Sequence, residues 1–270
     1  MSFAAIAYPA IDPVALRLGP LAIHWYGIAY LVGFVGAALV LRWLARRWEL
    51  GLTDDDLLTI VLAAVIGVIA GGRLGYVLFY SGGYYFTHPT EAFAIWDGGM
   101  SFHGGLTGIM IASVVAGRLV DVPWLTLCDM GAVGTPIGLF LGRVANFIND
   151  ELWGRATTVP WGVVFPSGGS LPRHPSQLYE AVLEGLVLFT IMLVLAAKLP
   201  PRPRGELIGW MLSLYAIFRI GVEFFREPDA QLGFIAGGVT MGQVLSVPML
   251  VGGLALIVWA RRRGLPPNAV

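Results

Sequence analysis

Seven stretches of predominantly apolar residues, each close to the length of about 20 that carries a helix across a hydrocarbon core, constrain this sequence more than any other feature. They lie near Ala22 to Leu41, Leu57 to Phe79, Phe102 to Val120, Leu125 to Ile148, Gln177 to Leu199, Leu207 to Phe225 and Met241 to Trp259. Helix start and stop signals separate them, among them Gly51 with Thr53-Asp54-Asp55-Asp56, Val122-Pro123, and Pro200-Pro201-Arg202-Pro203. With 57% of the 270 residues hydrophobic and 13% charged, the expectation is an all-α polytopic membrane protein of seven transmembrane helices. Residues 1–270 then form a single integral membrane domain, with outer-face loops near residues 80–101 and 149–176 as short caps. Seventeen basic residues balance 17 acidic ones, so the footprint of a nucleic-acid binder is missing. The single cysteine, Cys128, excludes an intrachain disulfide. Met1 to Pro20 lacks the basic start and unbroken apolar run of a cleavable signal peptide, so the first apolar run is expected to stay in the protein.

Basic charge alternates between the connecting segments. Ten of the 17 basic residues fall on one side: Arg42, Arg46, Arg47, Arg118, Lys198, Arg202, Arg204, Arg261, Arg262 and Arg263. Arg17, Arg155, Arg173 and Arg226 fall on the other, while Arg73, Arg143 and Arg219 lie within spans. Cytoplasmic loops carry the excess of Lys and Arg, so the N-terminus is expected outside, on the periplasmic face, and the C-terminus in the cytoplasm.

Intramembrane charge is costly and marks a functional site by default. Arg73, Arg143 and Arg219 all sit in the outer halves of their spans, at one level with Tyr26, His103, Asn146, Gln177 and Gln243. Internal pairing is one explanation, since Glu180 and Glu184 share a helix face at i, i+4, as do Arg219 and Glu223. That explanation suits Arg73 best. For Arg143 and Arg219 a shared anionic ligand is favoured, because guanidinium holds phosphate bidentately and does not lose its charge. No HExxH pair occurs among His24, His88, His103 and His174, and neither a GxSxG elbow nor a P-loop is present.

The stretch Gly142-Arg143-Val144-Ala145-Asn146-Phe147-Ile148-Asn149-Asp150-Glu151-Leu152-Trp153-Gly154-Arg155 sets arginines, asparagines and a glutamate around an apolar spine where a helix leaves the membrane. It resembles the signature of the prolipoprotein diacylglyceryl transferase family. His24-Trp25-Tyr26-Gly27, Gly71-Gly72-Arg73, Gly98-Gly99-Met100-Ser101-Phe102-His103-Gly104-Gly105 and His174-Pro175-Ser176-Gln177-Leu178-Tyr179-Glu180 fit the same family in order. So do Phe218-Arg219 and Glu223-Phe224-Phe225-Arg226, and the resemblance runs from about Tyr8 to Arg263. Ala145 stands where many members have Gly, and Val133 where Pro is expected.

The resemblance implies an enzyme of the bacterial cytoplasmic (inner) membrane with its active site toward the outer face. Its substrates would be phosphatidylglycerol and a prolipoprotein bearing a signal peptide and lipobox cysteine. The diacylglyceryl group moves to the cysteine thiol, a thioether forms, and glycerol phosphate leaves; no metal or organic cofactor is called for. A thiol reacts as its thiolate, so His103 is a candidate general base, although an interfacial hydrogen-bonded histidine is the alternative. The flanking Gly104-Gly105 would let lipid or peptide approach the backbone. Arg143 and Arg219 would hold the lipid phosphate and the departing charge. Asn146 and Tyr26 would bond the headgroup, with an interfacial belt role as the alternative for Tyr26. Glu151, Glu223 and Arg226 are expected as orienting or gating charges at the outer mouth, and Gly154 as a position where a side chain would obstruct. A rival from another class is a secondary transporter binding an anion through the same arginines, which predicts related halves and polar inner ends. No internal repeat is visible, and the inner halves of the spans are apolar apart from Asp129.

Overall fold

The computed structural model describes residues 6–19, 21–228, 233–235 and 238–268, so residues 1–5 and 20 of the segment read for a signal peptide lie outside it. Seven long helices follow the apolar runs: α1 (Trp25–Arg47), α2 (Asp54–Phe79), α3 (Phe102–Leu119), α4 (Trp124–Ile148), α5 (Ser176–Ala197), α6 (Glu206–Val222) and α7 (Met241–Arg263). Among the described residues, six of them, all but α6, are long and apolar enough to cross a membrane. The sixth expected span is α6, with 17 residues, because the chain leaves the helix at Glu223 instead of continuing to Phe225. Residues 22–24, expected to open the first helix, are instead the end of a hairpin between β2 (Val14–Leu18) and β3 (Leu21–His24), with Val14 opposite His24. A short apolar run does not distinguish strand from helix, which is why the boundary was misplaced. A second small pairing joins β1 (Ile6–Ala7) and β4 (Val163–Val164) in parallel.

The helices are built inside out relative to a protein in water. Leu31, Leu39, Phe79 and Val251 are each more than 60% exposed, whereas Asp129, Gln177, Glu180, Glu184 and Glu206 are at most 1% exposed. Apolar side chains facing outward need a lipid solvent, and buried polar groups need partners in the protein.

Two compact units make up the chain. One comprises Met1–Val40 and Asp129–Pro266 and the other Leu41–Cys128 and Pro267–Val270. In the second unit α2 packs on α3 through glycines four residues apart, Gly67, Gly71 and Gly75 against Gly104 and Gly108. A Cβ on Gly108 would collide with the Gly67 carbonyl oxygen and lie 2.9 Å from Gly71 Cα. Without a hydrophobic driving force between helices in lipid, such small-residue seams let backbones approach and gain dispersion energy. Gly104 belongs to this seam: its Cβ would lie 2.9 Å from Gly75 Cα. The open backbone expected at Gly104 for lipid or peptide is therefore corrected to a helix–helix contact. The connection from α2 to α3 contains a helical turn at Tyr84–Thr87 and 3-10 turns at Pro89–Phe93 and Ile95–Asp97.

In the first unit α6 begins without a side-chain cap of its own, after Gly205 at φ +91°. Asp129 of α4 supplies the cap, accepting from Gly205 N at 2.6 Å and Ile208 N at 2.8 Å. This explains the one acid expected in an inner half: it satisfies helix-start amides that lipid could not. Next to it, Glu206 accepts from Arg202 at 2.7 Å and Arg261 at 2.8 Å. Helix α4 carries its proline at Pro136, and Val133 is fully buried.

Gly108→Ala should lower the thermal unfolding midpoint of the detergent-solubilised protein by the equivalent of about 1–3 kcal/mol, as overpacking does. Gly131→Ala, whose Cβ would meet nothing within 4 Å, should leave the midpoint within the scatter of replicate measurements.

Candidate active site

The C-terminal end of α4 is closed by a left-handed residue. Asp150, at φ +55°, takes the position usually given to glycine, with Asp150 N donating to Phe147 O at 3.1 Å and Glu151 N to Asn146 O at 3.2 Å. These two bonds are the Schellman closure of a helix, and they fold the chain back so that Glu151 returns over Asn146. The side chains then meet. Asn146 Nδ2 donates to Glu151 Oε1 at 2.8 Å, and Tyr26 Oη, from the first turn of α1, donates to the same oxygen while accepting from Asn146. Tyr8 caps the last carbonyls of α4 at Phe147 and Ile148, 2.9 and 2.7 Å away. Burial and the neighbouring Asp150 carboxylate raise its hydroxyl above the ordinary tyrosine value.

Arg143 joins this group to a larger one. Its Nη1 donates to Asn146 Oδ1 at 3.4 Å, and its Nη2 lies 2.7 Å from Glu180 Oε2. The same carboxylate oxygen accepts from Arg219 Nη1 at 2.6 Å and lies 3.6 Å from Arg226 Nη1. Arg219 also lies 3.6 Å from Glu184 and 2.5 Å from Glu223. Thr240, which caps α7, donates to Glu223 at 2.7 Å, and Gly242 leaves the space that Glu223 fills. Residues Ala181–Val187 of α5 form wider π-helical turns, a feature that recurs at functional sites. Gly185 there lets the Phe140 backbone of α4 come close: its Cβ would lie 2.7 Å from Phe140 Cα.

The cluster is layered by charge. Glu180 and Glu184 expose none of their side chains and Glu223 4%, whereas Arg143, Arg219 and Arg226 keep 18%, 13% and 10%. Carboxylates form the back of the site and guanidiniums its accessible face. A sequence model of the prolipoprotein diacylglyceryl transferase family matches residues 13–259. Proteins named phosphatidylglycerol–prolipoprotein diacylglyceryl transferase are similar to the chain throughout. That of Geobacter sulfurreducens is 52% identical over 260 residues, covering 96% of this chain and 99% of its own. That of Bordetella avium is 52% identical with 96% and 98% covered, and that of Rhodospirillum centenum 54% identical with 94% of each covered. The chain belongs to the prolipoprotein diacylglyceryl transferase family.

Of the residues that the family pattern singles out, Tyr26, Arg143, Asn146, Glu151, Arg219, Glu223 and Arg226 fall in one network within the first unit. Gly154 lies beside it. A Cβ there would sit 2.7 Å from the His174 carbonyl oxygen, so the obstruction expected at Gly154 would be met by the protein's own backbone. Gly154 N donates to His174 O at 2.8 Å, and Arg155 ties the turn after α6 through Arg226 O at 2.8 Å and Glu223 O at 3.1 Å.

His103 belongs to the second unit. It sits in the first turn of α3, whose N-cap Ser101 accepts from Gly104 N at 3.1 Å, and its side chain is exposed. Arg73 is buried and paired, but with carbonyls instead of acids. It donates to Glu91 O and Ala92 O at 2.7 Å each and to Gly98 O at 2.6 Å, fastening the loop that leads to His103.

Glu180 is the common partner of three arginines, a centrality that sequence reasoning missed. Two glutamates one turn apart inside an apolar run were the available signal. Glu180→Gln should lower stability by about 3–5 kcal/mol, since it removes the buried carboxylate charge that three guanidiniums share. Glu227→Gln, at the 44% exposed partner of Arg173, should cost under about 1 kcal/mol; thermal unfolding in detergent measures both. A second expectation concerns His174, which burial holds below the ordinary histidine value. The stability it contributes is complete above the unfolded value of about 6.5. It should be lost as pH falls through the folded value, and His174→Gln should remove that part of the unfolding profile.

Proposed function

We propose that this chain transfers the diacylglyceryl group of phosphatidylglycerol to the lipobox cysteine thiol of prolipoproteins. The cysteine sulfur attacks the glyceryl carbon bonded to the phosphate oxygen. A C–S bond forms, the C–O bond breaks, and glycerol phosphate departs with the electron pair. The observation that carries this function is the layering of the site. Three guanidiniums face outward from buried carboxylates that fix their direction, as a headgroup phosphate and a leaving phosphate require.

Arg143 and Arg219 hold that phosphate through both ground state and departure. Asn146 and Tyr26 bond glyceryl or headgroup oxygens, while Glu151, Glu223 and Arg226 orient the binding groups, and Gly154 keeps the adjacent chain crossing close. His103 takes the proton of the thiol, a role that an exposed imidazole can fill because its ring nitrogen accepts a proton from a group within hydrogen-bond reach. The exposed apolar helix faces and the asymmetry of basic loops support a single seven-span domain in the bacterial cytoplasmic membrane. Its N-terminus is outside, its C-terminus is cytoplasmic, and its site faces outward, where a precursor's signal peptide presents the cysteine.

Purified protein incubated with phosphatidylglycerol and a lipobox peptide should add one diacylglyceryl mass to the peptide and release glycerol phosphate in equal amount. A peptide with serine in place of cysteine should gain nothing, and absence of any mass gain on the cysteine peptide would refute transfer. Arg143→Lys and Arg219→Lys should each lower kcat/KM at least about tenfold, the equivalent of about 1.4 kcal/mol, because an ammonium loses the two-pronged contact. His103→Asn should lower turnover on the cysteine peptide, and undiminished turnover would remove the base role from this residue.

A further inference from the structure

Glu184 is fully buried, and neither of its carboxyl oxygens has a hydrogen-bond partner among the described residues. Its nearest ion-pair contact, Arg219 Nη1 at 3.6 Å, is beyond hydrogen-bond length, and the same nitrogen is already bonded to Glu180 Oε2 at 2.6 Å. Glu180 Oε1 is likewise buried and without a hydrogen-bond partner among the described residues. Two carboxyl groups therefore crowd one guanidinium nitrogen, each with an oxygen that has nothing to accept from. A buried carboxylate with unmet acceptors is costly, and two carboxylates sharing one site do not both stay ionised.

We propose that Glu184 is held as the neutral carboxylic acid, making it a positioning residue for Arg219. The proton removes the charge of a buried carboxylate that has no hydrogen-bond partner among the described residues, and it sets the local charge. The groups around Glu184 are Glu180 on the same helix, Arg143 on α4, Tyr215 and Arg219 on α6, and Glu223 and Arg226 just beyond α6. Glu151 completes the connected network through Asn146. With Glu184 neutral, three guanidiniums face three carboxylates before a phosphate arrives; with Glu184 ionised they face four, and an incoming anion meets net repulsion. Arg219 is then aimed by Glu180 and Glu223 alone, without a third carboxylate pulling it back into the protein.

The protonation state stands without the transferase function proposed above; only its effect on turnover rests on that function. Difference infrared spectra of the detergent-solubilised protein at neutral pH should contain a carboxylic-acid C=O stretch, sensitive to H2O/D2O exchange, that Glu184→Gln removes. In the phosphatidylglycerol and lipobox-peptide assay, Glu184→Ala should lower turnover about tenfold and Glu184→Gln should restore it to within about threefold of the parent. An amide replaces a neutral acid closely, but it cannot replace a carboxylate as counterion. An acid band unchanged in Glu184→Gln would overturn the proposal, as would Glu184→Gln as impaired as Glu184→Ala or unable to fold. Full turnover by Glu184→Ala would remove the positioning role. A parent protein that transfers nothing would sink the transferase function instead, and the infrared band would still decide the proton.

Discussion

The Glu180 carboxylate is the interaction on which the polar cluster of the first unit depends. One of its oxygens meets guanidiniums from α4, from α6 and from the turn after α6, so a single buried charge fixes three chain segments at one depth. A buried charge of this kind is tolerable because its partners compensate it, and Asn146 and Glu223 hold those partners from the other side. The surrounding features serve this group. Gly185 brings α4 close to α5, Gly242 leaves room for Glu223, and Arg155 fastens the turn from which Arg226 projects.

Much of the helical architecture was legible in the sequence because hydropathy over some 20 residues is a strong signal; α1 runs six residues past its expected end at Leu41, and the other helix limits lie within four residues of the expected ones. The errors lay where the signal is local. Ala22 to His24 are as apolar as a helix start requires yet pair as a strand, and α6 ends at Val222 because a turn begins there. Glycine spacing was visible in Gly67, Gly71, Gly75, Gly104 and Gly108, but which pairs would touch depended on the docking of two helices, so Gly104 was read as open to ligand.

The site was legible in its residue types and less so in its wiring. Arg143 with Asn146 at i, i+3 and Arg219 with Glu223 at i, i+4 followed from helical periodicity, and both contacts are present. The long-range partners were not deducible from periodicity. Glu151 reaching Tyr26, Glu180 gathering three arginines and Arg73 bonding loop carbonyls all join residues distant in sequence. Internal pairing and anion binding, set against each other as alternatives, are compatible here, because the pairing lies behind guanidiniums that keep an accessible edge.

Asp129 gives this arrangement a second fixed point. It lies on α4, fourteen residues before Arg143, and it caps the start of α6, the helix that carries Arg219 near its far end. The two helices are thus joined at both ends, below by a borrowed cap and above by a shared carboxylate. Such a frame sets the rise between the two guanidiniums as rungs set the spacing of two rails. One residue added to α4 between Asp129 and Arg143 would advance the arginine by about 1.5 Å and turn it by about 100°, away from its counterpart. The length of that segment is therefore part of the site's chemistry, although none of the residues inside it needs to touch a substrate.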